Sequence, residues 1–357
     1  MSAVGISNVA KYYGKVAALD DVSMTVQDGE FFGLLGPSGG GKTTLLRAIA
    51  GFVEPDRGEI TIAGKAVSNI PINKRDIGMM FQNYALFPHL TVAENIGFGL
   101  SVRHRPKAEI AERVRQLLEL VRLSGFEGRK PKQMSGGQQQ RIALARALST
   151  NPKVLLLDEP LGALDKKLRE EMQFELKQIQ RDVGITTVFV THDQEEALTL
   201  SDRIAIMNGG RVEQIGAPRD IYERPRTAFA ASFLGTANFF EGVVSGRGDG
   251  VTRIELPDGQ AIFTTDEAPA GARVTAAVRP EKLLAGPVGA QGQEGRTNTI
   301  QGRVMAEVFA GNSVTYKVDA GNKPVTVFVQ NRTDERFGPD QTIALTWAPY
   351  HTILVAA

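Results

Sequence analysis

No cysteine occurs in the sequence, which removes disulfides, zinc–thiolate sites and cysteine nucleophiles from its chemistry. Long apolar runs are missing too: none approaches the roughly 18 residues that a membrane-crossing helix needs. The opening Met1-Ser2-Ala3-Val4-Gly5-Ile6-Ser7 lacks the basic and apolar segments of a signal peptide. A role at a membrane is therefore expected to run through a partner. Charge of one sign is equally scarce, with 41 Lys and Arg against 40 Asp and Glu and a formal net charge of +1. No basic field points to nucleic acid, and none is expected as a partner. What remains is an ordinary globular composition, 42% hydrophobic and 23% charged, over 357 residues, a length suited to two or three domains.

The stretch with the sharpest chemistry is Gly36-Pro37-Ser38-Gly39-Gly40-Gly41-Lys42-Thr43. An apolar run, Glu30 to Leu35, reads as a buried strand before it, and Thr44 to Ala50 reads as a helix ending at Gly51 after it. Glycines let the backbone fold back so that several N–H groups face one anion, and the helix N-terminus adds partial positive charge. Lys42 is placed to reach the β- and γ-phosphates of a nucleotide, and the Thr43 hydroxyl to hold Mg²⁺.

Further along, polar residues follow apolar strands. Tyr12-Tyr13-Gly14 sets aromatic rings before a turn, suited either to stacking on a base or to a half-buried strand. Ile77 to Phe81 is an apolar strand ending on Gln82, and the loop Asn83 to Pro88 carries Leu86 and Phe87, which need a core or a partner. Ile110, Val114, Leu117, Leu118 and Val121 recur at helical spacing. Met134-Ser135-Gly136-Gly137-Gln138 opens a helix running to Leu148, with Ser135 as N-cap and two glycines leaving N–H groups open to an anion. One nucleotide has little use for two such sites unless a neighbouring subunit supplies the second. Val154 to Leu157 is a strand buried on both faces, and it ends in Asp158-Glu159. Asp158 is placed to hold Mg²⁺ and Glu159 to orient or deprotonate an attacking water. The next strand, Thr186 to Thr191, ends on His192, either a structural histidine or a member of the same crevice.

Taken in order and spacing, Tyr13, the phosphate loop, Gln82, Ser135-Gly136-Gly137-Gln138, Asp158-Glu159, Asp165 and His192 resemble the ATP-binding cassette family, specifically the ATPase subunits of bacterial importers. The resemblance implies an α/β P-loop cassette with a helical subdomain, working with ATP and Mg²⁺ as a head-to-tail homodimer. In such a dimer residues 36 to 44, Thr44 included, bind one ATP, and Ser135, Gly136, Gly137 and Gln138 close on the partner's. Asp165 lines the seam, His192 contacts the γ-phosphate beside the catalytic Glu159, and Gln82 senses Mg²⁺. Membrane permease subunits, one of which would receive Leu86 and Phe87, and a periplasmic or extracellular solute-binding protein are the implied partners, at the cytoplasmic face of the membrane. Met134 stands where the family usually has Leu, and Gly162 where it commonly has Ser.

The cassette is expected over residues 1–235, with its helical subdomain over about 88–150. Residues 236–357 read as a C-terminal all-β regulatory or dimerisation domain of two repeats, about 236–288 and 297–357, each closing with a strand that runs into a proline, Pro280 and Pro349. Gly286 to Gly295 reads as the linker. These repeats resemble the oligonucleotide-binding-like barrels of polyamine, ferric-iron, sulfate and sugar import ATPases, and Phe233 to Gly242 is closer to the polyamine and iron groups than to the sugar group. A polyamine is the expected solute, with ferric iron, sulfate, phosphonate or a sugar as alternatives; a soluble, non-transport cassette ATPase is the reading from another class.

Overall fold

The computed structural model describes residues 2–162, 164–289, 297–321, 323–331 and 336–356. The chain divides into two compact units at Pro218/Arg219.

In the first unit the chain runs β1 (Ser2–Tyr13), β2 (Val16–Gln27), β3 (Phe31–Leu35), α1 (Lys42–Ala50), β4 (Arg57–Ile62), β5 (Lys65–Ala66) and β6 (Ile77–Met80). Three helices follow, α2 (Val92–Val102), α3 (Lys107–Leu120) and α4 (Gly136–Leu148). It then continues through β7 (Val154–Asp158), α5 (Lys166–Val183), β8 (Thr186–Thr191), α6 (Gln194–Leu200), β9 (Arg203–Asn208) and β10 (Arg211–Gly216). The central sheet has the order β10-β9-β3-β8-β7-β6, parallel except for the β9–β10 hairpin. That hairpin turns on Gly209 and Gly210, both at positive φ. β3, β7 and β8 are buried at every position, as continuous apolar runs in a doubly covered sheet should be. A four-stranded antiparallel sheet, β2-β1-β4-β5, packs Val4, Ile6, Val22 and Ile60 into one core with Leu45 and Ile49 of α1. On the other side α2, α3 and α4 pack Ile96, Leu117, Leu118 and Ile142 into a core that also takes in Leu155, Leu157 and Phe189.

The second unit adds α7 (Pro218–Glu223), α8 (Ala228–Phe233), β11 (Asn238–Gly248), β12 (Val251–Glu255), β13 (Ala261–Thr264), β14 (Arg273–Val278) and β15 (Leu284–Pro287). A second set of the same form follows: β16 (Asn298–Phe309), β17 (Ser313–Asp319), β18 (Pro324–Gln330), β19 (Thr342–Trp347) and β20 (Ile353–Val355). The compact division thus falls ahead of the boundary at 235 read from the sequence. Its cause is Arg279, whose buried guanidinium donates to the carbonyls of Tyr222, Ala231, Gly235 and Thr236 and so ties residues 222–236 to the β unit.

The two repeats exchange their last strands. The sheets are β13-β12-β11-β14-β20 and β15-β19-β16-β17-β18, so each repeat's closing strand completes the other's sheet. The expected linker is corrected accordingly: Gly286 and Pro287 are strand residues, paired with Ala344 and Ile343. Pro287 is tolerated there because β15 is an edge strand. The remainder of that expected linker, from residue 290 on, lies outside the described residues. One core runs through both sheets, with the rings of Phe240 and Trp347 stacked at 5.9 Å.

Candidate functional site

The phosphate loop hangs between the carboxyl end of β3 and the start of α1. Its glycines are required by close approach: a Cβ on Gly36 would lie 2.1 Å from the Met207 carbonyl oxygen, and one on Gly41 2.5 Å from that of Ala18. Gly41 also takes φ 95° and offers no side-chain cap, so the first N–H groups of α1 stay available to an anion. Lys42 is 7% exposed, and its Nζ donates to the carbonyls of Gly36 (2.7 Å) and Pro37 (2.8 Å). Burial holds its ammonium below the usual lysine range, against the pull of the Glu159 charge.

Three neighbouring strand ends meet beside this loop. In the order β8-β7-β6 they deliver His192, Asp158 with Glu159, and Gln82. Asp158 is 8% exposed, and burial raises its carboxyl above the ordinary range, with Arg47 opposing and Glu159 reinforcing. Glu159 takes φ 46°, a left-handed conformation for a non-glycine residue, and its N–H donates to the Val190 carbonyl at 3.0 Å. Its carboxylate accepts from Gln82 Nε2 at 2.7 Å on one oxygen and lies 3.3 Å from His192 Nδ1 on the other. Strands that sit side by side thus bring together three residues separated by up to 110 positions in sequence.

The remaining sequence candidates lie on other elements. Ser135 caps α4 in a capping box: its hydroxyl accepts from Gln138 N–H at 3.3 Å, and its own N–H donates to Gln138 Oε1 at 3.0 Å. These bonds stay within the turn. Gly137 is packed so that a Cβ would meet Leu168 at 3.3 Å, and Asp165 caps α5 by accepting from Leu168 N–H at 3.0 Å. Tyr13 ends β1 and is 53% exposed, and Lys11 Nζ lies 5.8 Å from the centre of its ring.

Some residues of consequence escaped the sequence reading. Arg146 on α4 donates to the carbonyls of Ala85 (2.7 Å) and Tyr84 (2.8 Å), both residues with positive φ in the loop after Gln82. Asn95, fully buried on α2, accepts from Phe87 N–H and donates to the carbonyls of Phe87, Leu90 and Thr91. A signal existed for Arg146, a lone charge among Ile142, Ala143, Leu144, Ala145, Ala147 and Leu148 on a helix otherwise buried there. Glu196 on α6 and the Arg169–Asp193 ion pair beside His192 carried no comparable pattern.

Among the described residues no group of three or more His, Cys, Asp or Glu side chains is arranged to hold a metal. Asp158 at the end of β7, the Thr43 hydroxyl at the start of α1 and the Gln82 side-chain oxygen after β6 are hard oxygen donors, of the kind that fits Mg²⁺ completed by phosphate oxygens and water. Among the described residues no helix is long and apolar enough to cross a membrane.

Comparison with known proteins adds three findings. The sequence model of the ABC transporter family matches residues 19–162, and that of the TOBE domain matches residues 276–355. The spermidine/putrescine import ATP-binding protein PotA of Rubrobacter xylanophilus is 48% identical over 99% of this chain and 93% of its own length, and that of Roseobacter denitrificans is 49% identical over 92% and 90%. Among solved structures, the ATP-binding cassette MJ0796, a dimer in a post-hydrolysis state bound to ADP and Pi, is 36% identical, with a TM-score of 0.54 over 60% of this chain and 99% of that one.

Proposed function

This chain belongs to the ABC transporter family, and from that premise we propose that it is the ATP-hydrolysing subunit that powers polyamine import through a membrane permease. The observation that carries the chemistry is the convergence of Gln82 and His192 on the carboxylate of Glu159, next to Asp158 and the Lys42 loop. The solute rests on the relatives named above, which match over nearly the full chain and are spermidine/putrescine import proteins.

In this reading the phosphates of ATP lie against residues 36–44, where backbone N–H groups and Lys42 face them and Tyr13 stacks on the base. Thr43, Asp158 and Gln82 would hold Mg²⁺, which would supply neutralisation of the phosphate charge. Glu159 orients the attacking water and accepts its proton, Gln82 and His192 fix the direction of its carboxylate, and His192 reaches the γ-phosphate. Because the hydrogen bonds of Ser135 and Gln138 stay within their turn, the N–H groups of Gly136 and Gly137 remain to meet the γ-phosphate held by a second copy, with Asp165 at the seam. The working assembly is therefore a homodimer, peripheral on the cytoplasmic face of the membrane, with permease subunits and a solute-binding protein. The cassette read over residues 1–235 has its compact body in residues 1–218, with a helical subdomain at about 88–150. Residues 236–357 serve regulation or dimer contact.

Glu159→Gln tests this directly. It keeps ATP binding and lowers hydrolysis by about 100-fold or more, the range for loss of a general base. Single-turnover hydrolysis by that variant at the wild-type rate contradicts the reading.

A further inference from the structure

His192 reaches Glu159 from a three-residue turn, Thr191-His192-Asp193, and side chains grip that turn on both sides of the histidine. The Thr191 hydroxyl, 1% exposed, donates to Glu196 Oε2 at 2.6 Å and accepts from Asp193 N–H at 3.0 Å. Glu196 N–H donates in turn to Asp193 Oδ1 at 3.1 Å. Asp193 Oδ2 accepts from Arg169 Nη1 at 2.7 Å, and Arg169 Nη2 donates to the Leu164 carbonyl, one residue before Asp165. Glu196 is 2% exposed, and its second oxygen, Oε1, is buried without a hydrogen-bond partner. A carboxyl in that setting is costly to keep, and its one good hydrogen bond is the one that fixes the residue beside His192.

We propose that Glu196 is a positioning residue for ATP hydrolysis: through the Thr191 hydroxyl it holds the turn that presents His192 to Glu159. The inference rests on the roles given above to His192 and Glu159. It makes the turn responsive to the charge on Glu196, because an ionised carboxylate draws the Thr191 hydroxyl more strongly than a neutral acid does. The charged groups acting on Glu196 are Asp193 at the start of α6, Arg169 on α5 and Glu159 at the end of β7, and burial raises its carboxyl to about 7. Lys177, also on α5, is engaged at the far end of α6 with the Thr199 carbonyl and with Asp202.

The test is steady-state ATP hydrolysis by the full chain with Mg²⁺, resolved into kcat and KM, for the wild type, Glu196→Ala, Glu196→Gln, His192→Ala and the double variant Glu196→Ala/His192→Ala, across pH 6 to 9. Loss of positioning lowers kcat about 10-fold in Glu196→Ala while KM stays within about 2-fold. In the His192→Ala background the same substitution has no further effect, since Glu196 acts through His192. Wild-type kcat rises as pH carries Glu196 through ionisation near 7, and Glu196→Gln, which keeps the acceptor but cannot ionise, flattens that rise.

An undiminished kcat in Glu196→Ala, an additive loss in the double variant, or a pH profile of Glu196→Gln identical to the wild type overturns the assignment of Glu196 alone. If His192→Ala itself turns over at the wild-type rate, the role of His192 falls and this inference falls with it. Should Glu196→Ala fail to fold, the pH profile of the isosteric Glu196→Gln decides.

Discussion

Glu159 occupies a left-handed backbone conformation at φ 46°, which costs a residue with a Cβ roughly 1–3 kcal/mol. The N–H bond to Val190 and the grips of Gln82 and His192 hold it there. Lys42 has a different task, since its buried ammonium is satisfied by two loop carbonyls until an anion offers a stronger partner. Removing it in Lys42→Ala should weaken ATP binding by roughly 10- to 100-fold, the worth of a charge-assisted hydrogen bond. Equilibrium titration with a fluorescent ATP analogue checks this, and an unchanged affinity speaks against the phosphate-loop assignment.

Glu196 adds a prediction about stability. Its carboxyl titrates at about 7 in the folded chain against an ordinary 4.5. Folding therefore favours the protonated form. The stability contributed by this group is fully present below about 4.5 and is lost as pH rises through about 7. The span corresponds to roughly 3 kcal/mol. Glu196→Gln, which has no charge to bury, should gain in melting temperature relative to the wild type at pH 8 and not at pH 4.5. Parallel thermal melts at the two pH values read this, and an equal difference at both removes the electrostatic account. The residues of the cleft were legible in sequence because each follows an apolar strand directly or within two positions. Glu196 was not, because its burial arises from the packing of α6 against β3 and α5, which no local spacing records.

At the scale of elements, the loop after Gln82 is the piece whose shape most depends on others. It carries two consecutive residues at positive φ, Tyr84 and Ala85, neither of them glycine. Arg146 takes their carbonyls in a fork, and Asn95 takes both backbone groups of Phe87. A helix that begins at the signature turn thus ends by fixing the loop that follows Gln82. Arg146→Lys keeps the charge and loses the fork. It should speed amide hydrogen exchange across residues 84–87 by about 10-fold, or about 1.4 kcal/mol of local opening; exchange unchanged there would show that the loop holds its shape unaided. The helices α2 to α4 could be read from spacing and caps, Thr91 with Glu94 and Ser135 with Gln138. The edge strand β15 could not, since Gly286 and Pro287 carry the composition of a linker and become a strand only by pairing with β19.

Across the whole molecule, the C-terminal unit shows most plainly where sequence reading stops. The tandem repeat is visible in two strands that each run into a proline. The exchange of β15 and β20 is not visible, because pairing partners of strands three or four residues long are set by the finished core. Two asparagines mark the internal symmetry. Asn238, at the start of β11, exchanges both side-chain bonds with the backbone of Thr326 on β18, and Asn298, at the start of β16, does the same with Phe263 on β13. Asn298→Ala removes both side-chain bonds to the Phe263 backbone, at a cost of about 1–3 kcal/mol. A lower calorimetric melting transition is the expected result, and an unchanged one would mean that the latch contributes nothing to the fold.

The most direct test of the account is ATP-dependent uptake of labelled spermidine and putrescine into membrane vesicles that hold this chain with its cognate permease and solute-binding protein. The expected result is uptake that requires ATP and disappears in Glu159→Gln. Vesicles that take up neither polyamine while the ATPase runs contradict the proposed solute, and polyamine uptake undiminished in Glu159→Gln contradicts the proposed site.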